Sequence, residues 1–511
     1  MPASILWYDL ETFGRDPAHD RIAQCAMLRT DENLVQMEEP MVLYCKPPLD
    51  YLPDPEACFV HGLSPVRIAE TGRTEYECAR VILQQMSQPA TTVAGYNSIQ
   101  FDDEFIRYLL YRNLFEPYRR EWEHDNARWD VLNLMRAVHD LKGDGLVWPV
   151  REDGMISYRL EDLARENGIV EQAHDALGDV RAMVELVRRI RERHPKLYAW
   201  YYRFRRRSEL QELVNLPDRS GMLLHTAPYA GEGIWNTTII APLGMVDGSR
   251  HDLAVFDLRH DPSGLVDLSE DELVEALEEA ERSGSIPVYS IRLNRCPYLA
   301  PPSVLEEDRA RIMGIDPKLC KARLRLLDES KKLRERLVRA HVRRQERYLL
   351  QEDDGTGFAA DATDPEYALY EGFFSNEARA GLGRLHSMLE REGPEAAKRW
   401  FVAELAAYRQ WQTSDTPSTL HPFSDRRLPP LIGRFLARNF PETLTASEKA
   451  RWLEYCRARL QLPPRAKATQ LADYDRLEEK YRGLAPDDTR RIILGELLAW
   501  KRRVTAALEP A

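Results

Sequence analysis

Ile5-Leu6-Trp7-Tyr8-Asp9-Leu10-Glu11 joins a short apolar run to two carboxylates. The run Ile5 to Tyr8 reads as a buried strand. In extended backbone alternate side chains share a face, so Asp9 and Glu11 point the same way. Two carboxylates on one face repel each other unless a cation or a proton neutralises them. A D-x-E pair alone is a weak signal, because one acid at a strand end commonly turns to solvent.

Outward from that stretch, Met41 to Tyr44 and Thr92 to Tyr96 are further short apolar runs. Helical periodicity marks Phe105 to Tyr111, Val131 to Leu141 and Leu160 to Asn167, with Gly168 as a C-terminal stop. Strands alternating with helices predict an α/β layered domain with a mixed sheet over about residues 1–195. Between about 196 and 350 the pattern changes. Met222 to Pro228, Asn236 to Met245, Asp252 to Leu258 and Pro287 to Asn294 are β-rich and separated by Gly and Pro. They predict a small β-barrel or sandwich with helices attached. Asp316 to Tyr348 is a long helical stretch, and the acidic, Gly-containing segment 351–364 reads as a linker. Residues 365–511 are almost wholly helical in pattern.

The composition suits a multidomain globular protein. The chain has 511 residues, 43% hydrophobic and 30% charged, enough for more than one core. Its seven cysteines form no C-x-x-C pair, which predicts free thiols in a reducing compartment and no zinc site. No apolar run approaches the length of a membrane span, and the amino terminus lacks a signal-peptide pattern, so the expected location is the cytoplasm. The formal charge of −12 by itself argues against nucleic acid, whose binders usually show a basic footprint.

Two further acidic features change that view. Gly95-Tyr96-Asn97 leads into Phe101-Asp102-Asp103-Glu104, where a strand ends and an acidic helix begins. His174 is followed five residues later by Asp179. Acids at a helix start are common for dipole reasons, and a lone His–Asp pair is usually structural. In this order and in an α/β setting, the three features together resemble the DEDD exonuclease superfamily, in its histidine variant, over roughly residues 1–190.

That resemblance implies a ribonuclease H-like fold and two-metal phosphodiester hydrolysis. It implies Asp9, Glu11, Asp102 and Asp179 as ligands of two Mg2+ ions, with Mn2+ as an alternative, and Asp9 bridging them. It also implies His174 as general base on the attacking water. Asp103 and Asp175 are the residues most easily confused with ligands; Asp102 is preferred because the family pattern places the aspartate directly after the aromatic.

Longer blocks narrow the resemblance. Asp9 to Gly14 reads D-L-E-T-F-G, Asp125 to Arg136 reads D-N-A-R-W-D-V-L-N-L-M-R, Tyr370 to Ser375 reads Y-E-G-F-F-S, and Arg438 to Thr443 reads R-N-F-P-E-T. In order and spacing they are similar to the bacterial exonuclease I family, up to about residue 460. Residues from about 465 onward do not align with that pattern. The family implies an exonuclease domain, an SH3-like barrel with added helices and a helical C-terminal domain. It implies a monomer that degrades single-stranded DNA processively from the 3′ end to 5′-mononucleotides, in DNA repair and recombination. Its implied protein partner is the acidic tail of single-stranded DNA-binding protein. By position Arg159 matches a contact to the terminal nucleotide, beside Glu11, while Arg107, Tyr118, Trp122 and Arg136 match contacts further along the strand. The bland alternatives are an Arg159–Asp162 pair and a core role for Trp122. The Glu121-Glu123-His124-Asp125 cluster reads as a solvated face, not a second metal site.

Two segments concentrate positive charge. Arg188 to Arg207 carries a net +8 and interleaves Tyr198, Trp200, Tyr201, Tyr202 and Phe204, which predicts a single-strand channel. Lys318 to Arg347 also carries +8, and a strand track and a solvated helix face with pairs such as Glu335–Arg339 weigh equally there. The competing functions are a 3′→5′ exoribonuclease on the same catalytic domain and a catalytically silent strand-binding scaffold.

Overall fold

A computed structural model describes residues 3–169, 175–215, 221–246, 248–329, 331–352, 364–412, 421–461, 468–483 and 488–509. The first sheet contains β1 (Ser4–Thr12), β2 (Ile22–Asp31), β3 (Met41–Tyr44), β4 (Thr91–Gly95) and β5 (Ala127–Asp130) in the order β3-β2-β1-β4-β5. β2 runs antiparallel to β1 and β3, while β4 and β5 run parallel to β1. The expected mixed sheet is therefore present.

The helices of this region are α1 (Pro55–His61), α2 (Pro65–Thr71), α3 (Glu75–Met86), α4 (Asp102–Arg112), α5 (Leu132–Leu141), α6 (Leu160–Glu166), α7 (Ala176–Arg193) and α8 (Pro195–Arg203). They cover both faces of the sheet. Leu6, Tyr8 and Leu10 pack toward α3 and α4, and Ile5 and Trp7 pack toward α5, α7 and α8. The twofold strand period then puts Asp9 and Glu11 on the side of Ile5 and Trp7, the side that faces α7.

The second region holds α9 (Arg207–Asn215), then β6 (Leu223–Thr226), β7 (Thr237–Met245), β8 (Asp252–Asp257), β9 (Val288–Arg292) and β10 (Tyr298–Ala300). These strands form one antiparallel sheet ordered β10-β6-β7-β8-β9, with a bulge between Pro242 and Gly244. Ile239 and Ala241 on one face join the core of the first domain, and Ile240 on the other faces a smaller core of its own. The attached helices are α10 (Glu270–Arg282), α11 (Glu307–Ile312), α12 (Pro317–Glu329) and α13 (Lys331–Glu352). The long helical stretch is thus two helices, with Ser330 outside the described residues.

The third region comprises α14 (Asn376–Arg391), α15 (Pro394–Gln412), α16 (Leu428–Asn439), α17 (Ala446–Gln461), α18 (Leu471–Asp475), α19 (Leu477–Lys480) and α20 (Thr489–Leu508). It grips the first domain twice. Leu382, Leu385, Phe401 and Phe435 pack with Tyr76, Tyr108 and Tyr111. Further on, Trp500, Leu497 and Tyr474 pack with Phe13, Tyr51 and Ile68, and the Trp500 indole N–H donates to the Tyr51 carbonyl at 3.2 Å. Between the two grips lies a buried ionic joint. Arg438 donates to Asp50 at 2.7 Å and pairs with Glu366 at 2.5 Å, and Arg459 pairs with Glu366 at 3.1 Å. Most of segment 351–364 lies outside the described residues. Among the described residues no helix is long and apolar enough to cross a membrane.

Candidate active site

β1 carries Asp9 and Glu11 to the C-terminal end of the sheet, and Asp179 sits in the first turn of α7 opposite them. One carboxylate oxygen from each of the three lies within 4.8 Å of the others. Asp102 opens α4, buried, close enough to feel the charges of Asp103, Asp130 and Glu11. Burial, followed by Asp179 and Asp175, pushes Glu11 up to about 8. Burial and the neighbouring carboxylates likewise hold Asp102 well above the ordinary range. Such shifts register an excess of negative charge that a bound cation relieves. A donor set of carboxylate oxygens is hard, so these residues fit a divalent cation of the magnesium type.

The adjacent Asp103 has the opposite fate. It accepts from Arg120 at 2.8 Å, Arg128 at 3.0 Å and the Tyr8 hydroxyl at 3.0 Å. Although burial acts the other way, Arg120 and Arg128 hold its carboxyl well below the usual range. Its charge is already neutralised, whereas Asp102 stands outside the three-carboxylate group of Asp9, Glu11 and Asp179 but close enough to feel the charge of Glu11. Asp175 precedes α7 without a side-chain capping bond and accepts from the Gln24 amide at 3.3 Å. His174 lies outside the described residues.

Beside the carboxylates is a cavity of about 520 Å³ whose lining includes Tyr96, Asn97, Arg136, Tyr158, Arg159 and Asp179. The Arg159 side chain is 77% exposed and loosely tied to Glu161 at 3.3 Å, not to Asp162. Asp162 instead takes Ser157 at 2.5 Å and Arg165 at 2.6 Å. The Arg136 guanidinium lies 5.7 Å from the centre of the Tyr158 ring and donates to Asn133 at 2.8 Å. Its Nε is buried without a hydrogen-bond partner among the described residues. Among the described residues neither arginine is ion-paired to a buried carboxylate, although Arg136 is close enough to feel the charge of buried Asp130.

The remaining predicted contacts divide. Trp122 is 64% exposed, so the core alternative fails. Tyr118 is half-buried and meets Phe373, itself 79% exposed, edge to face at 5.4 Å. Arg107 stands over Tyr118 but is enclosed by Glu104 at 2.7 Å and Glu121 at 2.8 Å, and donates to Tyr370 at 3.2 Å. Its geometry is that of a strut joining α4, Tyr118 and the third domain. Glu121 is correspondingly buried between Arg107 and Arg128, so the solvated-face reading is corrected at that residue. Tyr370 and Phe373, which reach Arg107 and Tyr118 from the third domain, both lie in the quoted Tyr370–Ser375 block, where the sequence reading singles out neither.

In the two basic segments much of the positive charge is engaged by the protein itself. In Arg188–Arg207 the aromatics turn inward: Tyr198, Tyr201 and Phe204 are buried, and Trp200 and Tyr202 pack against the cores. Tyr202 and Arg205 meet Thr92, which pairs with Ile5 at the end of the sheet remote from Glu11. Arg193 pairs with Asp144, Arg203 with Glu209 and Arg206 with Asp125. In Lys318–Arg347 four arginines of α13 pair with α10, Arg339 and Arg343 with Glu270, Arg344 with Glu281 and Arg347 with Glu278, while Arg334 pairs with Asp328 and Arg336 donates to the Val266 carbonyl. Both segments hold elements together, because a helical period, not the charge count, decides which way each side chain points.

Comparison with known proteins agrees with this architecture in chain order. The family model described as Exonuclease matches residues 6–187, the Exonuclease I SH3-like domain matches 205–343, and the Exonuclease I C-terminal domain matches 402–504. The last match includes most of the segment beyond 465 that the sequence motifs left unaligned. The chain is 37% identical to Exodeoxyribonuclease I of Haemophilus influenzae, over 90% of this chain and 91% of that one. A zinc-bound complex of Escherichia coli ExoI with single-stranded DNA superposes with a TM-score of 0.80 at 32% identity, over 98% of this chain and 100% of that chain. A complex of ExoI with the C-terminal segment of SSB superposes with a TM-score of 0.80 at 33% identity, over 99% and 100%. With all three modules matched over nearly the whole length, the chain belongs to the exonuclease I family of exodeoxyribonucleases.

Proposed function

We propose that this protein digests single-stranded DNA from its 3′ end to 5′-mononucleotides, with the 3′-terminal nucleotide seated in the cavity between Arg136, Arg159 and the carboxylates. The observation that carries the reading is the convergence of Asp9, Glu11 and Asp179 on one point at the mouth of that cavity. Asp9, Glu11, Asp102 and Asp179 would hold two Mg2+ ions, with Mn2+ as a substitute. When bound, such ions stabilise charge on the attacking and leaving oxygens of the phosphodiester. Arg159 and Arg136 pair with phosphate near the terminus, and Glu11 faces the terminal sugar. Tyr118 and Trp122 offer ring faces to bases further along, and Arg107 fixes Tyr118 in place. His174, from its place five residues before Asp179, takes the proton of the attacking water. Complexes of the relatives with single-stranded DNA and with the C-terminal segment of SSB support these two as partners, and the family resemblance is the ground for assigning processive repair and recombination work by a monomer in the cytoplasm. The described cysteines are all free thiols, in keeping with that compartment.

The test is a time course on 3′- and 5′-labelled single strands of DNA and matched RNA, with Mg2+ or chelator. The expected result is immediate release of the 3′ label as mononucleotide, only with metal and preferentially from DNA. Preference for RNA would establish the exoribonuclease reading, and chelator-resistant cleavage would sink the metal assignment.

A further inference from the structure

Asp130 ends β5 at the back of the cavity and belongs to none of the groups assigned above. Its buried carboxylate accepts backbone N–H groups from Asn97 at 2.9 Å, Leu132 at 3.1 Å and Ile99 at 3.4 Å. The bond to Leu132 is the ordinary turn that starts α5. The other two cross to a different strand and pin the loop 96–101 that leaves β4. The same junction is tied by Val131 N–H donating to the Gly95 carbonyl at 3.0 Å, beside the Gly95–Asp130 register pair.

The pinned loop is strained and densely packed. Asn97 has a φ of +58°, a left-handed conformation uncommon away from glycine. A Cβ at Gly95 would stand 2.4 Å from the Ser98 Cβ, so the backbone passes too close for any side chain there. At one end this loop supplies Tyr96 and Asn97 to the cavity wall. At the other it leads into Asp102 at the start of α4, close enough to feel the charges of Asp130 and Glu11. One side chain therefore ties down both a wall of the cavity and the segment that leads into Asp102.

We propose that Asp130 is a positioning residue that holds the Asn97 loop in its left-handed form and so aligns the 3′-terminal nucleotide with the cluster. The inference rests on the reading of this cavity as the seat of that nucleotide. It makes a specific demand: glycine adopts positive φ without help, so Asn97→Gly should relieve the need for Asp130.

The experiment compares Asp130→Asn, Asp130→Ala and the double variant Asp130→Ala/Asn97→Gly. For each, thermal midpoint, kcat and KM on a short single strand at saturating Mg2+, and the strand's dissociation constant in chelator, are measured. Asp130→Ala is expected to lower kcat/KM by about 10–100-fold, as supporting residues around metal sites do, and to weaken strand binding in chelator. Adding Asn97→Gly recovers most of that loss relative to Asn97→Gly alone, which is measured alongside and sets the cost of removing that side chain from the cavity wall. Asp130→Asn, which keeps an acceptor oxygen, falls between and serves if the alanine variant does not fold. A lower thermal midpoint with wild-type kcat, KM and binding, or no recovery by Asn97→Gly, would overturn the proposal. Arg159→Ala, measured alongside, separates the two readings. Unchanged KM there refutes the cavity as the terminal seat, whereas raised KM there with unaffected Asp130 variants refutes only the role of Asp130.

Discussion

Asp102 and Asp103 are sequence neighbours with different electrical surroundings, and the difference predicts opposite phenotypes. Asp103→Ala leaves Arg120 and Arg128 buried beside a lost partner, which typically costs about 3–5 kcal/mol; denaturant unfolding should show the loss. Asp102→Asn instead removes a charge that its surroundings disfavour. It should abolish metal-dependent cleavage while leaving the thermal midpoint in chelator unchanged or raised. Asp9→Ala should likewise abolish cleavage yet fold and bind strand, and near-normal activity would remove it from the ligand set. His174→Ala should slow turnover by roughly 10²–10⁴-fold at neutral pH. The sequence motif prefers Asp102 to Asp103, but the physical difference between them is not legible there. Arg120 and Arg128 lie 17 and 25 residues from Asp103, and only the fold brings them to it.

The Glu11 shift adds a pH dependence at the same scale. Its folded-state pKa without metal is raised to about 8, above the usual carboxylate value. The folded protein then holds a proton that the unfolded chain releases, so this residue's contribution to stability is lost as pH rises toward 8. Metal binding must displace that proton. The gain in thermal midpoint from Mg2+ over chelator should therefore grow between pH 6.5 and 8, and a constant gain would contradict the shift.

At the scale of elements, alternation in β1 was legible and sufficed to place Asp9 and Glu11 together. β2 and β5 were not, because Arg29 and Arg128 break the apolar runs expected of buried strands. The fold satisfies both: Arg29 donates to Ser4 at 2.8 Å and Thr91 at 3.1 Å, and Arg128 reaches Asp103. The aromatic and basic mixture of α8 misled for the converse reason. Interleaving in sequence is the same for a stacking platform and for a helix with one face in the core. If the cavity arginines hold phosphate, Arg159→Ala and Arg136→Ala should each reduce the salt slope of strand binding by about 1. Replacing Arg203 and Arg206 together by Gln should leave that slope unchanged.

Across the whole molecule, the ionic joint between the first and third domains sets acid sensitivity. Arg438 and its neighbours outweigh burial and hold Asp50 down to about 2, and Glu366 is also held well below its ordinary value. Burial, aided by Arg459 and Arg21, pushes His19 down to about 3. Depressed carboxylates stabilise the fold above about pH 4, and a depressed histidine does so above about pH 6.5. Both contributions are lost as pH falls toward the folded-state values. Asp20, pushed up to about 6 by burial, acts in the opposite sense. Denaturant midpoints should fall from pH 7 to pH 3.5, and Glu366→Gln should lessen the part of that fall below about pH 4. The net charge of −12 gave no hint of this arrangement, because most arginines that count toward it bind other parts of the chain.

The late return of α20 to the first domain also has a temporal meaning. Phe13, Tyr51 and Ile68 leave the ribosome early, but Trp500 and Leu497, which cover them, are made more than 400 residues later. At about 5–20 residues per second, that surface waits on the order of tens of seconds for its cover. During synthesis the first domain therefore keeps an apolar face open until α20 has emerged, and its packing is completed from a distant part of the chain.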